Sequence, residues 1–392
     1  MKGIYARFGI RPIINARGTH TRLGGSLMAP EVVDAMREAS QSYVVLDELQ
    51  DRASELIARA TGAEAGMVTG GAAAGLLFGT AACMTGGLPA LVEQLPFADD
   101  MKNEAVMFRA HRNGYDHSVR AAGARIVDVG YSHATHAYQL SSALHEKTAL
   151  VVYLMSPWAS KGALSLAQTC EIAHQAGVPV LVDAAATLPP ATNLTRIIGE
   201  GADLVTFSGG KGINGPQSSG ILAGRAGLIR AARANSSPIH SIGRAAKAAK
   251  EDIVGLMVAL ERYLERDHDA ELERWRNQAE AMIEHLSGLP GVSVRYQHDD
   301  SEHHTPRVEI VFAASTGIDA HDLVLALEEQ DPRIFLFEPT GPHAIPNSVV
   351  SNTHTMKPGE ESIVGQSLRS AIVSRLGVAG GVSRELASRG AV

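Results

Sequence analysis

The residues able to do chemistry stand where apolar runs end. Asp203-Leu204-Val205-Thr206-Phe207 stops abruptly in Ser208-Gly209-Gly210-Lys211-Gly212. A strand-end lysine flanked by glycines lets a bulky ligand come close to the backbone. Its amine can form a Schiff base with an aldehyde. An earlier run, Val180-Leu181-Val182, ends in Asp183 and continues as Ala184-Ala185-Ala186. A carboxylate there can cap a following helix or keep a ring nitrogen protonated, and both readings stand. Ala185 is small enough for a flat ring to lie against it. A third run ends in Thr69-Gly70-Gly71-Ala72 and opens a helix. Backbone N–H groups at a helix start bind phosphate without a cationic side chain. Ser208, three residues before Lys211, adds a hydroxyl.

An amine, a carboxylate for a ring nitrogen and a phosphate cradle together suit pyridoxal 5′-phosphate (PLP), which is the expected cofactor. Lys211, Asp183 and His111 are the catalytic candidates. Thr69, Gly70, Gly71, Ala72, His111, Ser156, Asp183, Ala185, Ser208 and Lys211 are the cofactor-binding candidates. His111 lies in Arg109-Ala110-His111-Arg112-Asn113-Gly114-Tyr115 and is the first choice for a ring on the pyridine face, with Tyr115 second. Ser156, in Ser156-Pro157-Trp158, is placed for the ring's phenolic oxygen. Arg17, Arg22, Arg112 and Arg307 are candidates for a substrate carboxylate, because a guanidinium pairs with it bidentately. The ordinary alternative for each is a surface ion pair. Arg244 and Lys247 read as lining the mouth of the cofactor site.

Elements must bring these residues together. Strands are expected at Ala65–Thr69, Ala105–Phe108, Arg125–Val129, Leu150–Met155, Val180–Val182, Leu204–Phe207 and Ser219–Ala223, with helical segments such as Gln168–Gln175 in the gaps. Repeated strand-helix units imply a buried, mainly parallel sheet with right-handed crossovers. Residues 245–287 read as helical. Strands at Val292–Tyr296, Arg307–Phe312 and Ile334–Phe337 follow, with a last helix over Glu361–Leu376 and a fraying tail after Gly377. The expected division is an N-terminal arm and short helix over 1–45, a large domain over 46–245, and a linking helix with a small α+β domain over 246–392.

Composition narrows the function. The 392 residues are 45% hydrophobic and 20% charged, enough to bury a large core. The net charge of −7 argues against a broad polyanion-binding surface, so no nucleic-acid partner is expected. Cys83 and Cys170 lie in apolar segments, as buried thiols in a reducing compartment would. No Cys/His metal spacing appears; His303-His304 has no nearby ligands, and no metal is expected. No signal core or long apolar span is present, which points to a cytoplasmic protein.

Four stretches carry a specific resemblance: Ile14-Asn15-Ala16-Arg17-Gly18-Thr19, Leu56-Ile57-Ala58-Arg59-Ala60-Thr61-Gly62-Ala63-Glu64-Ala65, Val182-Asp183-Ala184-Ala185-Ala186, and Phe207-Ser208-Gly209-Gly210-Lys211-Gly212-Ile213-Asn214-Gly215-Pro216-Gln217. The chain resembles the branch of fold-type I PLP enzymes that includes selenocysteine synthase and D-glucosaminate-6-phosphate ammonia-lyase. The resemblance covers most of the chain. It implies an α/β, aspartate-aminotransferase-like large domain and Lys211 as the lysine that bonds the cofactor. It also implies Asp183 at the pyridine nitrogen, Thr69 to Ala72 with Ser208 around the phosphate, and a homodimer or larger ring with shared sites. Selenocysteine synthases carry an additional N-terminal region that grips tRNA, whereas this chain begins almost at the core.

The expected activity is a PLP-dependent lyase, an ammonia-lyase or other β-elimination, on a small polar amino acid or amino-sugar acid. An aminotransferase, racemase or aldolase would use the same Lys211 and Asp183, and these stay open. Selenium transfer on aminoacyl-tRNA and a non-catalytic nucleotide-binding regulator are the remaining alternatives.

Overall fold

Central strand-forming runs of this chain are buried on both sides, and that dictates the architecture. The computed structural model describes residues 3–156, 159–298, 305–340 and 344–389. Pro157, Trp158, His303 and His304 lie outside the described residues. Twelve strands are found among those described: β1 (Ile13–Ala16), β2 (Ala65–Thr69), β3 (Glu104–Phe108), β4 (Arg125–Val129), β5 (Thr148–Leu154), β6 (Val180–Asp183), β7 (Leu204–Ser208), β8 (Gly220–Gly224), β9 (Val292–Gln297), β10 (Arg307–Phe312), β11 (Arg333–Leu336) and β12 (Ser348–Asn352).

The chain divides into two compact units. Residues 24–266 build the larger, while residues 1–23 join the chain from 267 onward in the smaller. The larger holds a seven-stranded sheet in the order β2-β8-β7-β6-β5-β3-β4. β8 runs antiparallel to β2 and β7, and the other pairings are parallel. Successive side chains alternate between two cores. Val151, Tyr153, Val182, Val205 and Phe207 enter one, and Leu150, Val152, Leu181, Leu204 and Leu222 the other. This is the double coverage that parallel sheets require.

One helix explains how tightly the sheet is covered. Ala72–Thr85 is apolar nearly all round and buried along most of its length. Gly75 lets it settle on β7: a Cβ there would stand 2.1 Å from Thr206 Oγ1. Its first turn is acid-free and has no side-chain cap.

The smaller unit packs helices His268–Leu286, Ala320–Glu329 and Glu360–Arg389 with two sheets, β12-β10-β9 and the parallel pair β1-β11. Ala16, Met282, Ile310, Leu323, Ile334, Val349 and Leu368 share its core. β12 was not expected from the sequence. The stretch 245–287 is two helices, Lys250–Glu265 and His268–Leu286, separated at Arg266-Asp267. Asp267 caps the second by accepting from Ala270 N–H at 2.9 Å. The backbone after Gly377 stays helical through Arg389 rather than fraying. No helix among the described residues is long and apolar enough to cross a membrane.

Candidate active site

Strand ends of the large sheet assemble the site. β2 ends at Thr69, β6 at Asp183 and β7 at Ser208. Thr69 and Ser208 both pair with Gly220 of β8, so they stand in one row across three strands. Asp183 pairs with Thr206 on one side and Leu154 on the other. The C-terminal edge of parallel strands is where open α/β sheets bind ligands.

Lys211 follows in the turn after β7. Burial pulls its amine below the usual lysine range, and the Asp183 charge partly opposes this. Burial pushes Asp183 up, against its hydrogen bond from Ala185 N–H at 3.1 Å and the charge of Lys211. Each group therefore feels the other, and each is biased toward its neutral form. Ala185 is half-buried immediately beyond.

The Thr69–Ala72 turn offers donors of a different kind. Gly71 has φ +112° and open space where a Cβ would be, and Gly220 allows its close approach to β8. The turn leads into an uncapped helix start, whose backbone N–H groups are the donors an anion needs. Thr69 Oγ1 donates to Gly71 O at 2.8 Å and shapes the turn.

His111 is wholly enclosed, with its ring edge-on to Phe108 (5.1 Å between centroids) and Tyr153 (4.5 Å). Nδ1 accepts from Leu154 N–H at 3.1 Å, which puts the ring proton on Nε2. Nε2 is buried with no protein partner. Burial lowers the imidazole to about 4, so it is neutral at physiological pH. Tyr115, the second choice, is exposed. Ser156 is half-buried past the end of β5.

The arginines differ in their surroundings. Arg112 is committed to Asp116, at 2.5 Å, and to Asp128. That corrects its candidacy for a substrate carboxylate: the guanidinium already has two. The network also ties down the loop carrying His111, because Asn113 donates to His111 O at 3.0 Å and its N–H reaches Asp116. Arg17, Arg22 and Arg307 belong to the smaller unit. Arg17 Nε is buried without a partner, and Arg22 is exposed. Sequence reasoning passed over Asp116, although its i,i+4 spacing from Arg112 was a readable signal.

Proteins of named activity are similar to most of this chain. A D-glucosaminate-6-phosphate ammonia-lyase from Salmonella typhimurium is 35% identical over 338 residues, spanning 85% of this chain and 88% of the relative. The chain belongs to the selenocysteine-synthase-related (SelA) family of fold-type I PLP enzymes. The family of L-seryl-tRNA selenium transferases itself matches residues 115–276. A 5′-C-glycyluridine monooxygenase-decarboxylase from Streptomyces is 32% identical over 85% of this chain and 83% of its own length. Among solved structures, a D-glucosaminate-6-phosphate ammonia-lyase superposes with TM-score 0.83 at 32% identity, covering 96% of this chain and 99% of the other. Serine palmitoyltransferase from Sphingomonas wittichii, 11% identical with TM-score 0.59 over 93% of this chain and 88% of its own, shows the shared fold alone. This SelA-family protein is thus an enzyme, and its similarity to the ammonia-lyase fits the lyase class. Among the described residues no group of His, Cys, Asp or Glu is arranged to hold a metal.

Proposed function

We propose that this protein is a PLP-dependent ammonia-lyase acting on a free amino-sugar acid or a small polar amino acid. One observation carries the reading. Half-buried Lys211 and buried Asp183 feel each other's charge at the ligand edge of the sheet, in a chain similar over most of its length to D-glucosaminate-6-phosphate ammonia-lyase.

The residues present fit the cofactor. A buried amine, a buried carboxylate, an uncapped helix start and the orphaned His111 Nε2–H form a donor set for an aldehyde-bearing, phosphorylated pyridine. Lys211 would hold the aldehyde carbon and Asp183 the ring nitrogen. The Thr69–Ala72 turn and Ser208 would hold the phosphate. Ala185 and His111 would border the ring, and Ser156 its phenolic oxygen. When bound, PLP supplies an electron sink for cleavage at the substrate's Cα.

The chain does the rest. Lys211, whose burial lowers its hold on a proton, takes the α-proton. Asp183 holds a proton at the ring nitrogen. The helix start would hold the phosphate through its backbone N–H groups. An arginine pairs with the substrate carboxylate, and Arg244 and Lys247 line the entrance. Overall, the substrate loses its β-hydroxyl as water, and hydrolysis then releases ammonia and leaves a keto acid. We further infer a cytoplasmic homodimer or larger homo-oligomer that takes a small molecule and no nucleic acid.

Borohydride treatment of the purified protein is expected to fix PLP on Lys211. Lys211→Ala is expected to stay folded and lose multiple turnover. A screen of amino acids and amino-sugar acids is expected to find one that yields ammonia and keto acid in equal amounts. Because the Streptomyces relative is named a monooxygenase-decarboxylase, the screen also follows oxygen uptake and CO2 release. Stoichiometric oxygen uptake with CO2 would replace the ammonia-lyase reading. Absence of a Lys211 adduct would overturn the cofactor assignment itself.

A further inference from the structure

The turn that carries Lys211 is gripped by a segment far from it in sequence. Ser26 donates twice to the carbonyl of Gly210, from its backbone N–H and from Oγ–H, each at 3.0 Å. That carbonyl belongs to the peptide unit that continues into Lys211. Gly25 is buried beneath it with φ +74°, and a Cβ there would stand 2.5 Å from the same oxygen. The turn is closed from other directions too. A Cβ on Gly210 would meet Gln217 Cα at 2.5 Å, and one on Gly212 would meet Leu188 O at 2.4 Å.

These glycines are required for close packing, yet they leave the backbone with more rotational freedom than any other residue type. What orients Lys211 is therefore what the turn is bonded to. We propose that Ser26 is a positioning residue for Lys211: its paired hydrogen bonds to Gly210 fix the peptide from which the lysine projects and hold the amine in its buried place near Asp183. The inference rests on the reading of Lys211 as the reacting amine. The lowered proton affinity of that amine agrees with it, since an amine free to swing into water would lose the desolvation that causes the shift.

Ser26→Ala removes the hydroxyl bond and keeps the backbone one, while Ser26→Thr keeps both. Two measurements on the full-length chain need no substrate. One is the pH dependence of Lys211 reductive methylation in cofactor-free protein, read by mass spectrometry. The other is the rate at which added PLP becomes borohydride-fixed on Lys211. In Ser26→Ala the methylation midpoint is expected to move up toward that of an ordinary lysine, and PLP fixation to slow by about tenfold, the equivalent of one lost hydrogen bond. Ser26→Thr is expected to restore both. Ser40→Ala, which removes an exposed hydroxyl bonded to Arg37 O, is expected to change neither. A Ser26→Ala protein with wild-type midpoint and fixation rate in its folded fraction overturns the proposal, even if less of it folds. A wild-type protein that fixes no PLP on Lys211 defeats the functional reading instead, whatever the Ser26 variants do.

Discussion

Asp183 and Lys211 face a shared difficulty: each is buried, and burial disfavours charge. A ring nitrogen bound at Asp183 would relieve the aspartate by supplying a positive partner. Asp183→Asn removes that ability, because an amide cannot keep the nitrogen protonated. Its turnover is expected to fall by several kcal/mol of barrier, roughly a hundredfold or more, with Asp183→Glu falling less. Single-turnover proton abstraction tests this; an Asp183→Asn rate equal to wild type would leave the aspartate only the turn it caps through Ala185 N–H, since no helix follows it before Asn193. His111 gives a different test. Its imidazole is lowered from 6.5 to about 4, so the unfolded chain binds a proton the folded chain refuses. The stabilisation is full above pH 6.5 and is lost as pH falls toward 4. Over that window it amounts to about 3 kcal/mol. Urea midpoints at pH 7 and pH 4.5 are expected to differ less in His111→Gln than in wild type. Lys211 and Asp183 were legible as residues because strand ends flanked by small residues have few other uses. The setting of His111 was not, since Leu154 and Tyr153 reach it only through pairing of β3 with β5.

At the scale of elements, glycine decides how close helix and sheet come. Gly75 sits where the Ala72–Thr85 helix crosses β7, and Thr206 Oγ1 there already donates to Ile221 O at 3.0 Å. Gly75→Ala would push that hydroxyl aside in a fully packed layer. We expect a loss of about 1–3 kcal/mol in urea unfolding, together with weaker PLP retention because the phosphate turn leads straight into this helix. The large-sheet strands were readable because each is a short apolar run bounded by turn residues. β12 was missed because Ser348-Val349-Val350-Ser351-Asn352 mixes polar residues into a buried strand, and their side-chain partners lie elsewhere in the chain: Ile345 O for Ser348, Met282 Sδ for Ser351 and Arg17 O for Asn352. The break at Arg266-Asp267 had a signal that went unused: an aspartate three residues before Ala270 is an ordinary helix cap.

The whole molecule carries a net charge of −7. Binding to a polyanion rests mainly on clustered Lys and Arg, and steep salt dependence is its signature. Arg230, Arg233, Arg244, Lys247 and Lys250 are the densest basic run, but Arg233 is occupied by Asp47 and Asp51 and Lys250 by Glu251. tRNA affinity across a salt series is expected to match that of an unrelated acidic protein. Tight binding that weakens steeply with salt and disappears on Arg244→Ala or Lys247→Ala would favour a tRNA-modifying enzyme. The sequence suggested an arm, a large domain and a small C-terminal domain in succession. It held no local sign that residues 1–23 build with the C-terminal part, because strand partners are not encoded by either strand alone.

The parallel pairing of β1 with β11 sets an order of events during synthesis. Ile13 lies opposite Arg333, so β1 finds its partner only 320 residues further along the chain. Residues 24–266 form a contiguous unit and can close their sheet while translation continues. β1 must wait as an unpaired edge until β11 has been made, and the smaller unit cannot close before then.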